Sequence, residues 1–407
     1  MKSDVVVVGG GPVGLMTALG LARRGVEVAL FEAEYDIHYT PRAIAYAWTI
    51  FAGLEYFGLL EDMLAEGMIV DTRSWRRFSN DDTITYNHDA VKEITNRPFS
   101  LTLGQDIIGQ ILVRHLALYD NVRVYWGHKF VDLEQHPEHV TVTLETASGK
   151  VRHDAAWVVG ADGGRSQVRK NLGLKLEGWT WPERFVATDI YYDFDEFGWD
   201  SGYLVDPEFG AVVYKLSKDN LWRVTYAESR VLPVESVAER IPAFMQAILP
   251  GKKTYDLVLF SPYNMHQRTA PNYRVGRVLL AGDSAHVTNP TSGFGLMGGM
   301  NDVFTLCDPL AAVIKGDVDD SILDDYARLR RKVYNEVTTP VSSESKRLVF
   351  NSSDPERLDW DFAQLKARQQ DPEAMRKFLM VPAALETPSL LTGQSLAELC
   401  KESKTNK

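Results

Sequence analysis

The chain of 407 residues has only two cysteines, Cys307 and Cys400, far apart and outside any CxxC spacing. Neither a disulfide framework nor a cysteine-based zinc site is expected, and a reducing, cytoplasmic setting fits best. Positive charge is also short: 44 Lys and Arg against 55 Asp and Glu leave a formal net charge of −11. That balance argues against nucleic acid and anionic membrane surfaces as partners. No apolar run reaches membrane-spanning length, and the valines Val5 to Val8 meet glycines before forming a signal-peptide core. HxxxH, HExxH and clustered carboxylates are missing, so no metal is expected. "GDSAH" lacks the GxSxG elbow of a serine nucleophile, which argues against hydrolase chemistry. What remains is ordinary globular composition, 45% hydrophobic and 24% charged, enough for two or three domains or one large α/β unit.

Local patterns organise the chain. "DVVVV" is an unalternating β-branched run, suited to the middle of a parallel sheet covered on both faces. Glycines follow, then "LMTALGLARRG", a helix stopped at Gly25, then the strand "VEVALFEAE". Residues 39–64 read as mostly helical and "LGQDIIGQILVRHLALYD" as an amphipathic helix. Between Trp179 and Phe260 the segments "RFVATDIYYDF", "GAVVYKL", "LWRVTYAES" and "YDLVLFS" predict antiparallel strands with aromatics at alternate positions. The final third is helical.

The βαβ start carries Gly9-x-Gly11-x-x-Gly14 directly after a strand and before a helix. In that context the glycines permit a tight turn, close approach of backbone amides to a pyrophosphate, and close helix–strand packing. Pro12 and Val13 open the helix, whose N-terminus favours phosphate. Glu32, next to Ala33, ends the second strand 18 residues after Gly14, where an acid can accept from ribose hydroxyls and would repel a 2′-phosphate. FAD or NAD therefore fits this site, and NADP does not. Two further strand–Gly–Asp turns choose between them. "VVGADGGRSQVRKNLG" holds Asp162, Gly163, Arg165, Ser166 and Arg169, and "RVLLAGDSAHVTNPTSGFGLMGGMND" holds Asp283 and a cluster of glycines. A simple NAD domain has no use for a distant second turn of this kind, whereas the ribityl chain of FAD does.

These three motifs, in this order and at these separations, resemble the single-component FAD-dependent aromatic hydroxylases, the group of p-hydroxybenzoate and salicylate hydroxylases. The resemblance covers almost the whole chain. "EGWTWPERFVATDIYYDF" and "FGLMGGMNDVFTLCDPLAAVIKG" are similar to fungal members acting on phenolic natural products. The resemblance implies an α/β fold, α+β overall. A Rossmann-like FAD-binding domain (1–70, 101–172 and 276–345) would carry an inserted antiparallel substrate domain (71–100 and 173–275) and a helical C-terminal segment (346–407). It further implies that Asp283 bonds the ribityl chain and that Asp162 and Gly163 serve FAD and, in transit, the nicotinamide. Arg42 and Gln105 would touch the pyrophosphate and ribityl region. Pro290, Gly293 and Gly295 would pass beside the isoalloxazine ring, with the amides of Leu296 and Met297 at its pyrimidine edge. Many relatives have Asn where this chain has Met297.

The implied reaction uses FAD, with NADH or NADPH as transient reductant and O2 as co-substrate. A flavin C4a-hydroperoxide would deliver one oxygen atom to a phenolic ring. Activation of the phenol needs a base or hydrogen-bond partner, and the candidates are His266, Tyr191, Tyr203, Tyr214, Arg223 and Tyr226. Strand alternation puts Trp222 and Tyr226 on one face and Arg223 and Thr225 on the other, leaving open which face meets the substrate. His286 reads as a hydrogen-bonding residue, and Arg328, Arg330, Arg331 and Lys332 as a solvated basic face. "GWTWP" departs from the halogenase WxWxIP pattern, so Trp179 and Trp181 are expected to pack a domain junction. A reductase that never oxygenates and a non-catalytic escort protein are the alternatives. A monomer or homodimer is expected.

Overall fold

The computed structural model describes residues 2–37, 44–251 and 254–405. The strand Lys2–Val8 lies between Val28–Phe31 and Gly149–Gly160, parallel to both, and Val5, Val6 and Val7 are fully buried. Continuous apolar character is thus explained by cover on both faces. Strand order runs 274–275, 278–280, 149–160, 2–8, 28–31, 122–125. The long strand Gly149–Gly160 changes partners along its length. Its first half pairs antiparallel with Val140–Thr146, and its second half joins the parallel sheet.

A second sheet of eight strands, counted among the described residues, lies beside the first in the order 286–287, 256–269, 177–191, 221–229, 211–215, 202–205, 72–77, 83–87. Its two faces have separate partners. Val186, Ile190, Val213, Trp222, Val224 and Tyr226 pack with the helix Val237–Ile248. Phe185 and Met265, on the other face, pack with Val349 and Phe350 of the helix Thr339–Phe350. One helix thus covers one face, and the C-terminal third reaches over the other.

Two segments depart from expectation in part. Of residues 39–64, expected to be mostly helical, 39–43 lie outside the described residues and the rest is helical except at its start. Ala45–Tyr46 forms a short strand against Ser100–Thr102, and the helices are Phe51–Tyr56 and Leu60–Glu66. Tertiary pairing overrides propensity here, because an edge was available to Ala45–Tyr46. The helix Thr339–Phe350 runs through residue 345, where a domain boundary was expected, and follows Ile322–Val333 through a π-turn at Tyr334–Thr338. The C-terminal helices Pro355–Gln370 and Pro372–Leu379 pack onto the hairpin of the second sheet. Their Leu358, Phe362, Leu365 and Met375 join Trp75, Ile84 and Tyr86 in one core.

The hairpin 72–87 is tied to the second sheet through parallel pairing of Thr72–Arg77 with Gly202–Val205. A Cβ at Gly202 would collide with the Ser74 carbonyl. Gly202→Ala is expected to destabilise the protein by about 1–3 kcal/mol through overpacking, read as a lower urea midpoint. An unchanged midpoint would show that the hairpin is not docked through this contact.

Candidate functional site

Three turns converge at the ends of the parallel strands. The first is Gly9–Gly14. Gly9 has φ +110°, a conformation that favours glycine, and a Cβ at Gly14 would collide with the Gly9 carbonyl. The turn feeds the helix Pro12–Ala22, with proline at its start and Gly11 as N-cap. A Cβ on Gly11 would meet nothing within 4 Å, so the helix N-terminus opens onto free space, where its first amides can face a ligand. Glu32 braces the turn: its carboxylate accepts from the Gly10 amide and, at 2.9 Å, from the Glu34 amide. Ala33 beside it is exposed.

The second turn follows Gly160. Asp162 accepts from Ser166 Oγ at 2.5 Å and from the amides of Gln167 and Val168 at 2.6 and 3.1 Å. Its side chain therefore caps the helix Gln167–Asn171, and burial pushes its carboxyl above the usual range. Gly163 has φ +76° with open space around it, and Arg165 is exposed. Arg169, nearly buried, donates to Ser284 O at 2.8 Å and Gly164 O at 2.9 Å. It clips the second turn to the third.

The third turn, Gly282–Ser284, packs on the first: a Cβ on Gly282 would stand 2.9 Å from Val13 Cγ2. Asp283 is exposed at its tip. Behind it lies Asp302, fully buried, accepting from the Gly282 amide at 2.8 Å, His286 Nε2 at 2.7 Å and Arg330 Nε at 2.7 Å. Burial alone would raise the Asp302 carboxyl pKa, but His286 and Arg330 outweigh it and hold the group below the usual range. Arg330 is 2% exposed and also donates to Leu385 O, Thr387 Oγ1 and Gly298 O. This corrects the expected solvated face at Arg330. One basic residue of the four turns inward, because a buried carboxylate and three further oxygen acceptors await it. His286 is the hydrogen-bonding residue expected.

From there the chain runs through Pro290–Ser292, turns at Gly293 with φ +74°, and starts the helix Phe294–Lys315. Gly295 and Leu296 are partly exposed at its N-terminus. Met297 is buried, and its Sδ accepts from the Ala47 amide at 3.4 Å. The departure at Met297 thus has a local use: it holds the strand Ala45–Tyr46 beside the glycine loop. Gln105 starts the helix Gln105–Leu116. Arg42 lies outside the described residues.

Face assignment now sorts the other candidates. Tyr203, Tyr214 and Arg223 stand on the face of the second sheet that turns toward this loop. Tyr203 Oη donates to Thr291 O at 2.9 Å. Arg223 forms a bidentate pair with Asp189, at 2.6 and 2.8 Å, and lies close enough to Tyr46 to affect its ionisation. Tyr226 is on the opposite face, stacked on Phe244 at 3.9 Å, so its alternation register removes it from the group. Tyr191 is 46% exposed at a strand end. His266 also points away from the loop: it meets Thr180 Oγ1 at 2.8 Å, while its neighbour Gln267 reaches Thr288 and Asn289. Burial, then Arg268 and Arg230, push the His266 pKa down. Trp181 lies under Lys346 Nζ at 4.4 Å, and Trp179 meets it edge-on.

Sequence reasoning missed Gln267, Tyr46 and Asp302, and it named Arg169 without its bond to the third turn. Tyr46 Oη and Thr291 Oγ1 are buried and meet no hydrogen-bond partner among the described residues. An outward-facing helix N-terminus, two glycine turns with open space and orphaned polar atoms beside the loop fit FAD lying across the three turns. No helix among the described residues is long and apolar enough to cross a membrane, and no cluster of metal-ligating groups occurs among them.

Comparison with known proteins agrees. The family described as FAD binding domain matches residues 2–340. A 6-hydroxy-3-succinoylpyridine 3-monooxygenase of Pseudomonas putida is 39% identical over 390 residues, 95% of this chain and 99% of that protein. A para-nitrophenol 4-monooxygenase of a Pseudomonas species is 38% identical, covering 92% of this chain and 94% of that one. The crystal structure of a p-nitrophenol 4-monooxygenase from Pseudomonas putida superposes with a TM-score of 0.91 at 38% identity, over 94% of this chain and 98% of that one. These relatives are bacterial, where the motifs had resembled fungal members.

Arg330→Met is expected to destabilise the holoprotein by about 3–5 kcal/mol, because Asp302 would stay buried without its cation; urea unfolding measures it. A loss under about 1 kcal/mol would contradict the network. A carboxyl whose folded pKa is depressed contributes stability above its unfolded value near pH 4 and loses it as pH falls through the folded value. Removing Arg330 raises that folded value, so the acid limb of stability in the variant should begin at higher pH than in the wild type.

Proposed function

The chain belongs to the FAD-dependent aromatic monooxygenases, and from that premise we propose that it oxygenates a single-ring hydroxyaromatic with a polar substituent para to the hydroxyl. O2 is the co-substrate, and NADH or NADPH the reductant. The observation that carries this reading is that the sheet face bearing Tyr203, Tyr214 and Arg223 meets the loop Pro290–Met297 through Tyr203 and Thr291, with the strand of Tyr46 held to the loop through Ala47 and Met297. The two relatives' names support the substrate class. One acts on para-nitrophenol and the other on 6-hydroxy-3-succinoylpyridine, in which hydroxyl and acyl group stand opposite on the ring.

When bound, FAD supplies hydride acceptance and oxygen activation, chemistry that no side chain here provides. The protein's part is position, charge and exclusion of water. The amides from Gly11 to Gly14 and the dipole of Pro12–Ala22 would hold the pyrophosphate, with Gln105 and Arg42 beside it. Glu32 and Ala33 would lie at the adenosine end. Asp162, Gly163 and Arg165 would flank the middle of the cofactor, and Asp283 would hold the ribityl chain. Pro290, Gly293 and Gly295 would pass the ring, and the Leu296 and Met297 amides would stabilise negative charge on it.

Tyr46 is the group placed to donate to the substrate oxygen. Burial raises its pKa, partly offset by Arg223, so it stays protonated and donates to a phenolate rather than removing its proton. Burial raises the Tyr203 pKa strongly as well, which suits its donation to Thr291. The aromatic walls limit water near the reacting atoms.

Purified protein should retain FAD and oxidise NADH or NADPH slowly until a para-substituted phenol is added, with oxygen uptake exceeding hydrogen peroxide release. Asp283→Ala should lower flavin occupancy. If every phenol tried gave peroxide equal to oxygen consumed, the proposed function would fail; unchanged occupancy in the variant would remove the role given to Asp283.

A further inference from the structure

The strand registers set a row of polar residues across the loop-facing side of the second sheet. Arg73 stands opposite Tyr86 within one hairpin. Tyr214 stands opposite Arg223, and Arg223 opposite Asp189. The strand Gly202–Val205 joins the two halves, pairing with Ser74 on one side and Val213 on the other through Gly202.

The two arginines of this row differ. Arg223 is neutralised by its bidentate bonds to Asp189. Arg73 forms no ion pair among the described residues, and its Nε, shielded from solvent, meets no acceptor. Its surroundings are phenolic. The guanidinium lies 5.3 Å from the centroid of the Tyr214 ring, with the Tyr86 and Tyr203 side chains close by. The nearby imidazole of His88 supplies no negative charge. Burial, then Arg73 itself, push its pKa down to about 4.

A guanidinium held beside an aromatic ring without an ion-pair partner keeps N–H donors free, and its fork matches a planar pair of oxygens. A half-buried cation without a counterion is also stabilised by any ligand that brings negative charge. Tyr203 ties the cluster to the reacting centre through Thr291.

We infer that Arg73 is the specificity-determining residue of this site and receives a planar two-oxygen substituent, carboxylate or nitro, carried by the substrate ring. This rests on the proposed function and adds to it. The ring would lie between Arg73, which holds the substituent, and the Tyr46 end of the site, which holds the hydroxyl. Tyr214 positions the guanidinium and does not touch the reacting atoms.

The test compares wild-type holoenzyme with Arg73→Gln and Arg73→Lys, using 4-nitrophenol, 4-hydroxybenzoate and 4-methylphenol as probes. Dissociation constants come from the change in the flavin spectrum, and kcat and KM from probe-stimulated NADH or NADPH oxidation. Arg73→Gln should weaken binding of the two-oxygen phenols roughly tenfold or more and leave 4-methylphenol within about twofold. The loss should fall on KM more than on kcat. Arg73→Lys should recover part of the carboxylate binding and less of the nitro binding, because a point charge replaces a fork. Equal weakening for all three probes, or none, would overturn the inference. If Arg73→Gln does not accumulate as folded, flavin-loaded protein, the same comparison in Arg73→Lys decides. Wild-type enzyme that binds no phenol contradicts the proposed function itself; wild-type enzyme that binds all three without preferring the two-oxygen group contradicts only the role of Arg73.

Discussion

The buried carboxylate of Asp302 is the constraint on which the site depends. It holds the amide of Gly282, the imidazole of His286 and the guanidinium of Arg330 at once, so the turn, the short strand after it and the later helix Ile322–Val333 share one anchor. With Arg169 and Ser284, which tie the same turn to the second turn and to Gly160, it keeps the Gly282 turn against Val13. Arg330 extends the same anchor to Leu385 and Thr387, which brings the C-terminal segment into the arrangement. A charge this deep is tolerated because all its partners are donors, two of them able to carry positive charge.

A second constraint is the period of two in the inserted sheet. Trp222, Val224 and Tyr226 pack a helix on one face, which forces Arg223 and Thr225 to the other. Phe185, Met265, Tyr203 and Tyr214 share that other face, and one hydroxyl, that of Tyr203, crosses to Thr291. The face toward the loop thus carries the polar row beside a smaller core, and the opposite face packs a helix. A one-residue slip in register would exchange them.

The glycine motifs were legible because each has a covalent reason that survives without tertiary context. Gly9, Gly14 and Gly282 occupy turns or contacts that a Cβ would strain. The cofactor class followed from the number of such turns, and the aromatic monooxygenase family from their order. Arg330 was not legible, since within "RLRRK" nothing local distinguishes the residue that turns inward. Tyr46 was hidden by a helical-looking segment whose strand forms only when Ser100–Thr102 offers an edge. His266 and Gln267 are adjacent, and the choice between them depends on which sheet face meets the loop. Strand alternation defined the two sets of side chains but could not orient them. Asp162 and Glu32 stood out in the sequence as candidates for the cofactor, yet their bonds to local amides are visible only in three dimensions.

The central proposal is that the three turns hold FAD so that oxygen from O2 reaches an aromatic ring at the sheet face carrying Tyr203 and Arg223. The most direct measurement is turnover of a para-substituted phenol under isotopically labelled O2, followed by mass analysis of the organic product. One labelled oxygen atom per product molecule is the result predicted. Phenol recovered without label, with all the label in hydrogen peroxide and water, would contradict it.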